Sequence, residues 1–178
     1  MNRNQLILAA VALVSALGGF LLYEYLQPAS ARAPAVSSQK PLELQAVPLT
    51  DLEGRQTVFD DWKGDFLVVN FWAPWCAPCR REIPSLIQIH NEYAERGVRV
   101  MGIAFDNKPQ VQEFAIEYGI NYPLFLSDNR TAMYSAVLGN PSGSLPYTAL
   151  LDRNLQIIYQ HNGEVSLQTL RAQLEKVL

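Results

Sequence analysis

Residues 65 to 79 read DFLVVNFWAPWCAPC, a β-branched and aromatic run that stops at two cysteines separated by Ala77 and Pro78. Such a run suits a strand buried on both faces. From Ala77 the apolar residues recur at helical spacing, at Ile83, Leu86, Ile87, Tyr93 and Ala94, as far as Gly97. Pro84 is expected to kink this helix. VRVMGIAF reads as a second buried strand. NKPQVQEFAIEYG reads as a second helix, with Pro109 in its first turn, Val111, Phe114, Ala115 and Tyr118 along one face, and Gly119 closing it. Strand, helix, strand, helix in that order requires a parallel sheet, so the fold class is α/β.

The flanks add smaller elements. Upstream, LELQAVPLTDLEGRQTVF is two short extended runs about the turn signal DLEG, an N-terminal β-hairpin. Downstream, YPLFL is a short extended piece and residues 130 to 138 form a weaker helix. YTALLD and LQIIYQ, separated by RN, read as an antiparallel hairpin. The last helix starts at the cap Ser166 and carries Leu167, Leu170, Leu174 and Val177 on one stripe.

At the N-terminus, Arg3 precedes an uncharged run from Leu6 to Leu22, flanked by Tyr23 and Tyr25. At ~1.5 Å per residue this run nearly crosses a hydrocarbon layer of ~30 Å. Positive charge before it and Glu24 after it place the amine in the cytoplasm and the remainder outside. ARA at 31 to 33 has the look of a small-residue cleavage signal, but it lies far beyond the run and Pro34 follows it. Residues 1–26 are therefore expected to be an uncleaved signal anchor, a transmembrane helix. Residues 27–40, QPASARAPAVSSQK, are expected to be a flexible linker, and 41–178 one folded domain. The net charge is −3 and the basic residues are scattered apart from the short CRRE cluster, which argues against nucleic acid as a partner.

Cys76 and Cys79 are the chain's only cysteines. As a staple they close almost no chain, for roughly 2 kcal/mol on a loop-entropy model. As half of a zinc site they lack partners, since the domain adds only His90 and His161, and His90 lies roughly 20 Å farther along the same helix. Position favours a redox pair. Cys76 stands where a strand hands over to a helix, facing unpaired N–H groups and the positive end of the helix dipole, a setting in which cysteine pKa values fall to about 3.5 to 7.5. Cys79, on the same face one turn deeper, is placed to attack a mixed disulfide formed by Cys76. Pro78 fixes a φ suited to the first turn. Trp75 is assigned to the wall of the site and Trp72 to the core.

NFWAPWCAPC, Pro84 five residues after the second cysteine, and SLPYTALLD near the far end together resemble the thioredoxin superfamily, in particular its membrane-anchored TlpA/ResA/DsbE-like branch, over residues 42 to 178. The resemblance implies a thioredoxin fold with an N-terminal β-hairpin extension and an inserted strand-helix element at about 120 to 138. It implies a cis Leu145–Pro146 bond set against the sulfurs, with Trp75, Pro78, Leu145 and Pro146 contacting the substrate. Cytosolic thioredoxins carry a buried Asp where this chain has Asn70; Glu82 matches an acidic residue of this branch, a candidate for proton transfer or pKa tuning, beside the plainer reading of a solvent-facing Glu.

The implied activity is that of an exported, membrane-tethered thiol-disulfide oxidoreductase with Cys76 as nucleophile and Cys79 as resolving thiol, and without cofactor or metal. Ala77 and Pro78 add no charge to favour a thiolate and Glu82 opposes one, so the protein is expected to act as a reductant unless Arg80 and Arg81 approach the sulfurs. Its domain would lie outside the bacterial inner membrane, in the periplasm. It would draw electrons from a transmembrane donor of the DsbD or CcdA kind and pass them to cysteines of exported proteins such as apocytochrome c. A peroxiredoxin-like peroxide reductase is one alternative, although its motif wants Thr where this chain has Ala73. A non-catalytic copper-handling or docking module is the other.

Overall fold

The computed structural model describes residues 48–128 and 131–178, together with Asn2, Gln5 and Ser15. The chain divides into two units, Met1–Pro41 and Leu42–Leu178. Apart from those three residues, the expected anchor at 1–26 and the linker at 27–40 lie outside the described residues. Among the described residues no helix is long and apolar enough to cross a membrane.

The second unit runs β1 (Pro48–Asp51), β2 (Gln56–Val58), β3 (Phe66–Trp72), α1 (Ala77–Tyr93), β4 (Val98–Ala104), α2 (Lys108–Tyr118), β5 (Leu124–Leu126), α3 (Thr131–Val137), β6 (Tyr147–Leu151), β7 (Ile157–Asn162) and α4 (Leu167–Leu174). The strands form one mixed sheet in the order β2-β1-β5-β4-β3-β6-β7. The parallel pairs β3–β4 and β4–β5 are those expected from strand-helix alternation, and β6 and β7 add antiparallel strands beyond β3. β5 joins the sheet between β4 and β1, and β1 pairs with β2 as an antiparallel hairpin at the edge.

β3 is the centre of the fold because it is buried at all seven positions. Its pleat sends Phe66, Val68 and Trp72 to a core shared with Ile83, Leu86 and Ile89 of α1 and Leu170 and Leu174 of α4. Leu67, Val69 and Phe71 enter a second core on the opposite face, with Met101, Ile103, Phe125 and Tyr134. Asn70 falls on the same face as Val68 and Trp72, so a polar side chain is delivered beneath the helix that carries the cysteines.

Capping fixes the helices. The Asn107 side chain accepts from the Gln110 N–H at 3.2 Å, with Pro109 in the first turn, and Gly119 ends α2 at φ +66°. Ser166 accepts from the Thr169 N–H at 3.1 Å and starts α4, as expected. Helix α1 continues through Pro84 to Tyr93, and Ala94 belongs to a following 3₁₀ turn that Gly97 closes at φ +78°.

Two sequence expectations need correction. β7 begins at Ile157, because Leu155 takes a left-handed conformation at φ +63° and is buried in the second core. Val177 is not on the buried stripe of the last helix, which ends at Leu174; Val177 is 38% exposed.

Gly102 lies opposite Asn70 in the β3–β4 register. A Cβ there would stand 2.7 Å from Leu124 Cδ2 and 2.9 Å from Trp72 Nε1, closer than close-packed atoms tolerate. Gly102→Ala is predicted to lower stability by about 1–3 kcal/mol through overpacking. Urea denaturation measures this, and an unchanged midpoint would contradict the packing described.

Candidate active site

β3 ends at Trp72, and the chain turns through a Cys76 N–H to Ala73 C=O hydrogen bond of 3.1 Å into α1. Cys76 is the N-cap, with extended backbone at φ −85° and ψ 105°, and its sulfur accepts from the Cys79 N–H at 3.3 Å. The side chain thus occupies the position where an oxygen normally satisfies a free amide of the first turn. Pro78 lacks an N–H at a position that needs none.

Cys76 and Cys79 are joined in a disulfide with Cα atoms 5.3 Å apart. Cys76 is 6% exposed and Cys79 is fully buried, so an incoming sulfur can reach only the first. Trp72 is core, as expected. Trp75, next to Cys76 in the chain, is 68% exposed.

Glu82, one turn beyond Cys79, is 1% exposed, which overturns the reading of a solvent-facing side chain. Its Oε1 accepts from Asn70 Nδ2 at 2.7 Å and its Oε2 from the Val165 N–H at 2.8 Å. Asn70 Nδ2 also donates to Thr148 Oγ1 at 3.1 Å. Burial pushes the Glu82 carboxyl up to about 7; the hydrogen bonds from Val165 and Asn70 oppose that rise, and the like charge of Glu164 adds to it. A buried carboxyl whose pKa is raised toward neutrality therefore lies on the cysteine face of α1.

The two arginines after Cys79 are engaged elsewhere. Arg80 donates to Tyr118 Oη at 3.0 Å and lies over the Phe114 ring. Arg81 pairs with Glu164 through Nε at 2.7 Å and Nη2 at 2.6 Å. Neither interaction turns a guanidinium toward the sulfurs.

Leu145 and Pro146 reach the same end of the sheet. The antiparallel register pairs Phe71 with Tyr147, so the residues before Tyr147 continue alongside Trp72, where β3 gives way to the cysteine turn. The Leu145–Pro146 peptide is cis. The Pro146 carbonyl accepts from the Gly163 N–H, whereas the Leu145 main chain takes no hydrogen bond within the described residues. Asn140, buried in the GNPSGSLP loop, positions this approach: its Nδ2 donates to Ser135 Oγ at 2.8 Å and to Ser144 O at 2.9 Å, and its Oδ1 accepts from the Ser144 N–H at 3.1 Å.

Thr148, Val165 and Asn140 were not foreseen from sequence. A polar residue inside the apolar run FLVVNFW is itself a signal, since a buried amide needs a partner; the partners, far along the chain, have none. His90 and His161 lie apart from the pair. His90 is half-buried on α1 against Tyr122, and His161 on β7 contacts Tyr159 Oη and Glu164 O. Among the described residues no group of three or more His, Cys, Asp and Glu is placed to hold a metal ion.

Comparison with known proteins agrees with this geometry. The family model described as Redoxin matches residues 28–178. Thiol-disulfide oxidoreductase ResA of Geobacillus thermodenitrificans is 30% identical over 130 residues, 72% of each chain. ResA of Bacillus anthracis is 28% identical over 181 residues, 99% of each chain. Among solved structures, a DsbF homologue from Corynebacterium diphtheriae is 28% identical, with a TM-score of 0.67 over 75% of this chain and 85% of that one. The chain belongs to the Redoxin family, as a thiol-disulfide oxidoreductase of the TlpA/ResA/DsbE-like branch of the thioredoxin superfamily.

Proposed function

We propose that the protein is a membrane-tethered reductant acting on disulfides of exported proteins, with apocytochrome c the leading client. The observation that carries the direction of electron flow is the buried Glu82 carboxyl, held by Asn70 and Val165 one turn beyond a fully buried Cys79. Negative charge there opposes a thiolate at Cys79 and limits how far the helix start can stabilise the one at Cys76. Since a strongly stabilised thiolate favours the reduced protein, a thiolate stabilised only moderately favours the disulfide and makes the dithiol give up electrons. The engagement of Arg80 with Tyr118 and of Arg81 with Glu164 removes the positive charge that would act the other way.

In the reaction the Cys76 thiolate attacks one sulfur of the client disulfide and expels the other as a thiolate. Cys79 then passes its proton to the Glu82 carboxylate and attacks Cys76 in the mixed disulfide, releasing the second client thiolate. Two electrons pass to the client, whose two thiolates take up one proton from Glu82 and one from solvent, the latter equal to the proton Cys76 gave up beforehand, and the Cys76–Cys79 disulfide re-forms. The main chain of Leu145 is available to pair with an extended client, and Trp75 and Pro78 flank the attacked sulfur.

Re-reduction requires a transmembrane electron donor, for which a DsbD- or CcdA-type protein is the proposed source. Tethering and location outside the inner membrane rest on the Leu6 to Leu22 run. The alignment through 99% of the Bacillus anthracis relative is in keeping with this, because it gives the N-terminal segment a counterpart there.

Three outcomes are expected. Cys79→Ser should accumulate mixed disulfides through Cys76, detected by non-reducing electrophoresis and mass spectrometry, while Cys76→Ser accumulates none; equal trapping by both variants would contradict the assigned roles. Equilibration with glutathione should give a potential nearer the about −270 mV of thioredoxin than the about −120 mV of a strong oxidant, and a value at the latter end would overturn the direction of transfer. The third concerns Glu82, whose pKa is about 7 in the folded protein against 4.5 as an ordinary carboxyl. A raised carboxyl pKa contributes stability that is present below the unfolded value and is lost as pH rises through the folded value. Glu82→Gln should therefore gain roughly 3 kcal/mol on the wild type between about pH 4 and pH 9, measured by urea denaturation of the oxidised protein. A difference independent of pH would show that Glu82 titrates normally.

A further inference from the structure

A groove of about 290 Å³ opens beside the redox pair; Pro74, Trp75 and Phe114 line it together with Asp106, Gln110, Glu113 and Glu117. Its lining carries three carboxylates and no basic side chain. Glu113 and Glu117 lie one turn apart on the exposed face of α2, and neither forms an ion pair among the described residues. Asp106 accepts from the Asn107 N–H at 2.7 Å, from the Asn107 Nδ2 at 3.1 Å and, in the amide orientation that satisfies both groups, from Gln110 Nε2 at 3.0 Å, so Glu113 and Glu117 are the freer carboxylates. The Lys and Arg residues on the adjoining helices are Arg80, committed to Tyr118, Arg81, paired with Glu164, and Lys108 at the start of α2.

An exposed tryptophan beside unpaired carboxylates is suited to a long cationic side chain, which stacks its head on the ring and pairs it with the acids. The protein already makes one such contact nearby: the Arg80 guanidinium lies 5.8 Å from the Phe114 ring centroid and 5.6 Å from that of Tyr118. The groove is also continuous with the chemistry, because Trp75 immediately precedes Cys76. A chain joined to Cys76 advances about 3.3–3.6 Å per residue, so a side chain one to three positions from the linked cysteine is within reach of Trp75.

We infer that this groove is a specificity subsite for a Lys or Arg lying within three residues of the client's reactive cysteine. The inference rests on the reductase reading above and adds to it the charge of the client segment. Complementary charge acts chiefly on the rate of encounter and weakens with salt.

The test uses the reduced full-length protein and three synthetic peptides with an intramolecular disulfide, identical except for Arg, Gln or Glu two residues before the first cysteine. Rates are read by acid quench and mass spectrometry. The Arg peptide should be reduced about three- to tenfold faster than the Gln peptide at low salt, the Glu peptide slowest, and the spread should close near 1 M salt. Combining Glu113→Lys with Glu117→Lys should invert the order, a gain for the Glu peptide that damage to the fold cannot produce. Equal rates for the Arg and Gln peptides, or an Arg preference that survives charge reversal, would overturn the subsite and leave the reductase reading standing. Reduction of none of the three would overturn both.

Discussion

Glu82 is the point at which three elements meet around the redox pair. It projects from α1 into the interior and accepts hydrogen bonds from the Asn70 side-chain amide on β3 and from the Val165 main-chain N–H just ahead of α4. An ionised carboxylate in such a place is expensive unless its hydrogen bonds are made, and two are. The same bonds hold α1 over β3 at the level of Cys79. Burial and hydrogen bonding pull the carboxyl in opposite directions, and burial prevails, leaving it near neutrality. A group at that balance can accept a proton from a thiol and return it to solvent without either state being strongly disfavoured.

The division of labour between the two cysteines follows from the strand-to-helix turn. The N-cap position gives Cys76 an amide donor and the field of a helix start, and leaves it with a small opening to solvent. Three residues on, Cys79 is carried below the surface by the helical path itself. In the proposed exchange a client engages the first sulfur, and the second resolves that linkage from within. The Leu145–Pro146 segment arrives at the same end of the sheet through the pairing of β6 with β3, so the surface against which a client would lie is built by sheet register as well as by the cysteine helix.

Much of this was legible before the fold was known, and the limits have physical causes. The β-branched and aromatic run of β3, the spacing of α1 and α2, the stop at Gly119 and the cap at Ser166 are local signals, and the structure has them. The cis state of Pro146 came only through family resemblance, because nothing in SLPYT distinguishes it from an ordinary turn. The burial of Glu82 escaped periodicity because it is made tolerable by Asn70, twelve residues earlier, and by Val165, eighty-three residues later. Leu155 illustrates the converse: a residue with strand character is drawn into a left-handed turn by the core behind it. The acidic groove beside Trp75 depends on α2 packing next to the cysteine turn, a tertiary fact with no trace in either segment alone.

The most direct test of the central claim is the alkylation of the two thiols in the reduced protein, followed residue by residue with iodoacetamide at about pH 7. A thiolate-favouring helix start at Cys76 predicts that it reacts faster than the same cysteine in the urea-unfolded chain, and that Cys79 reacts more slowly than in the unfolded chain. If Cys76 reacts no faster folded than unfolded, or if Cys79 is labelled first, the proposed exchange chemistry is wrong.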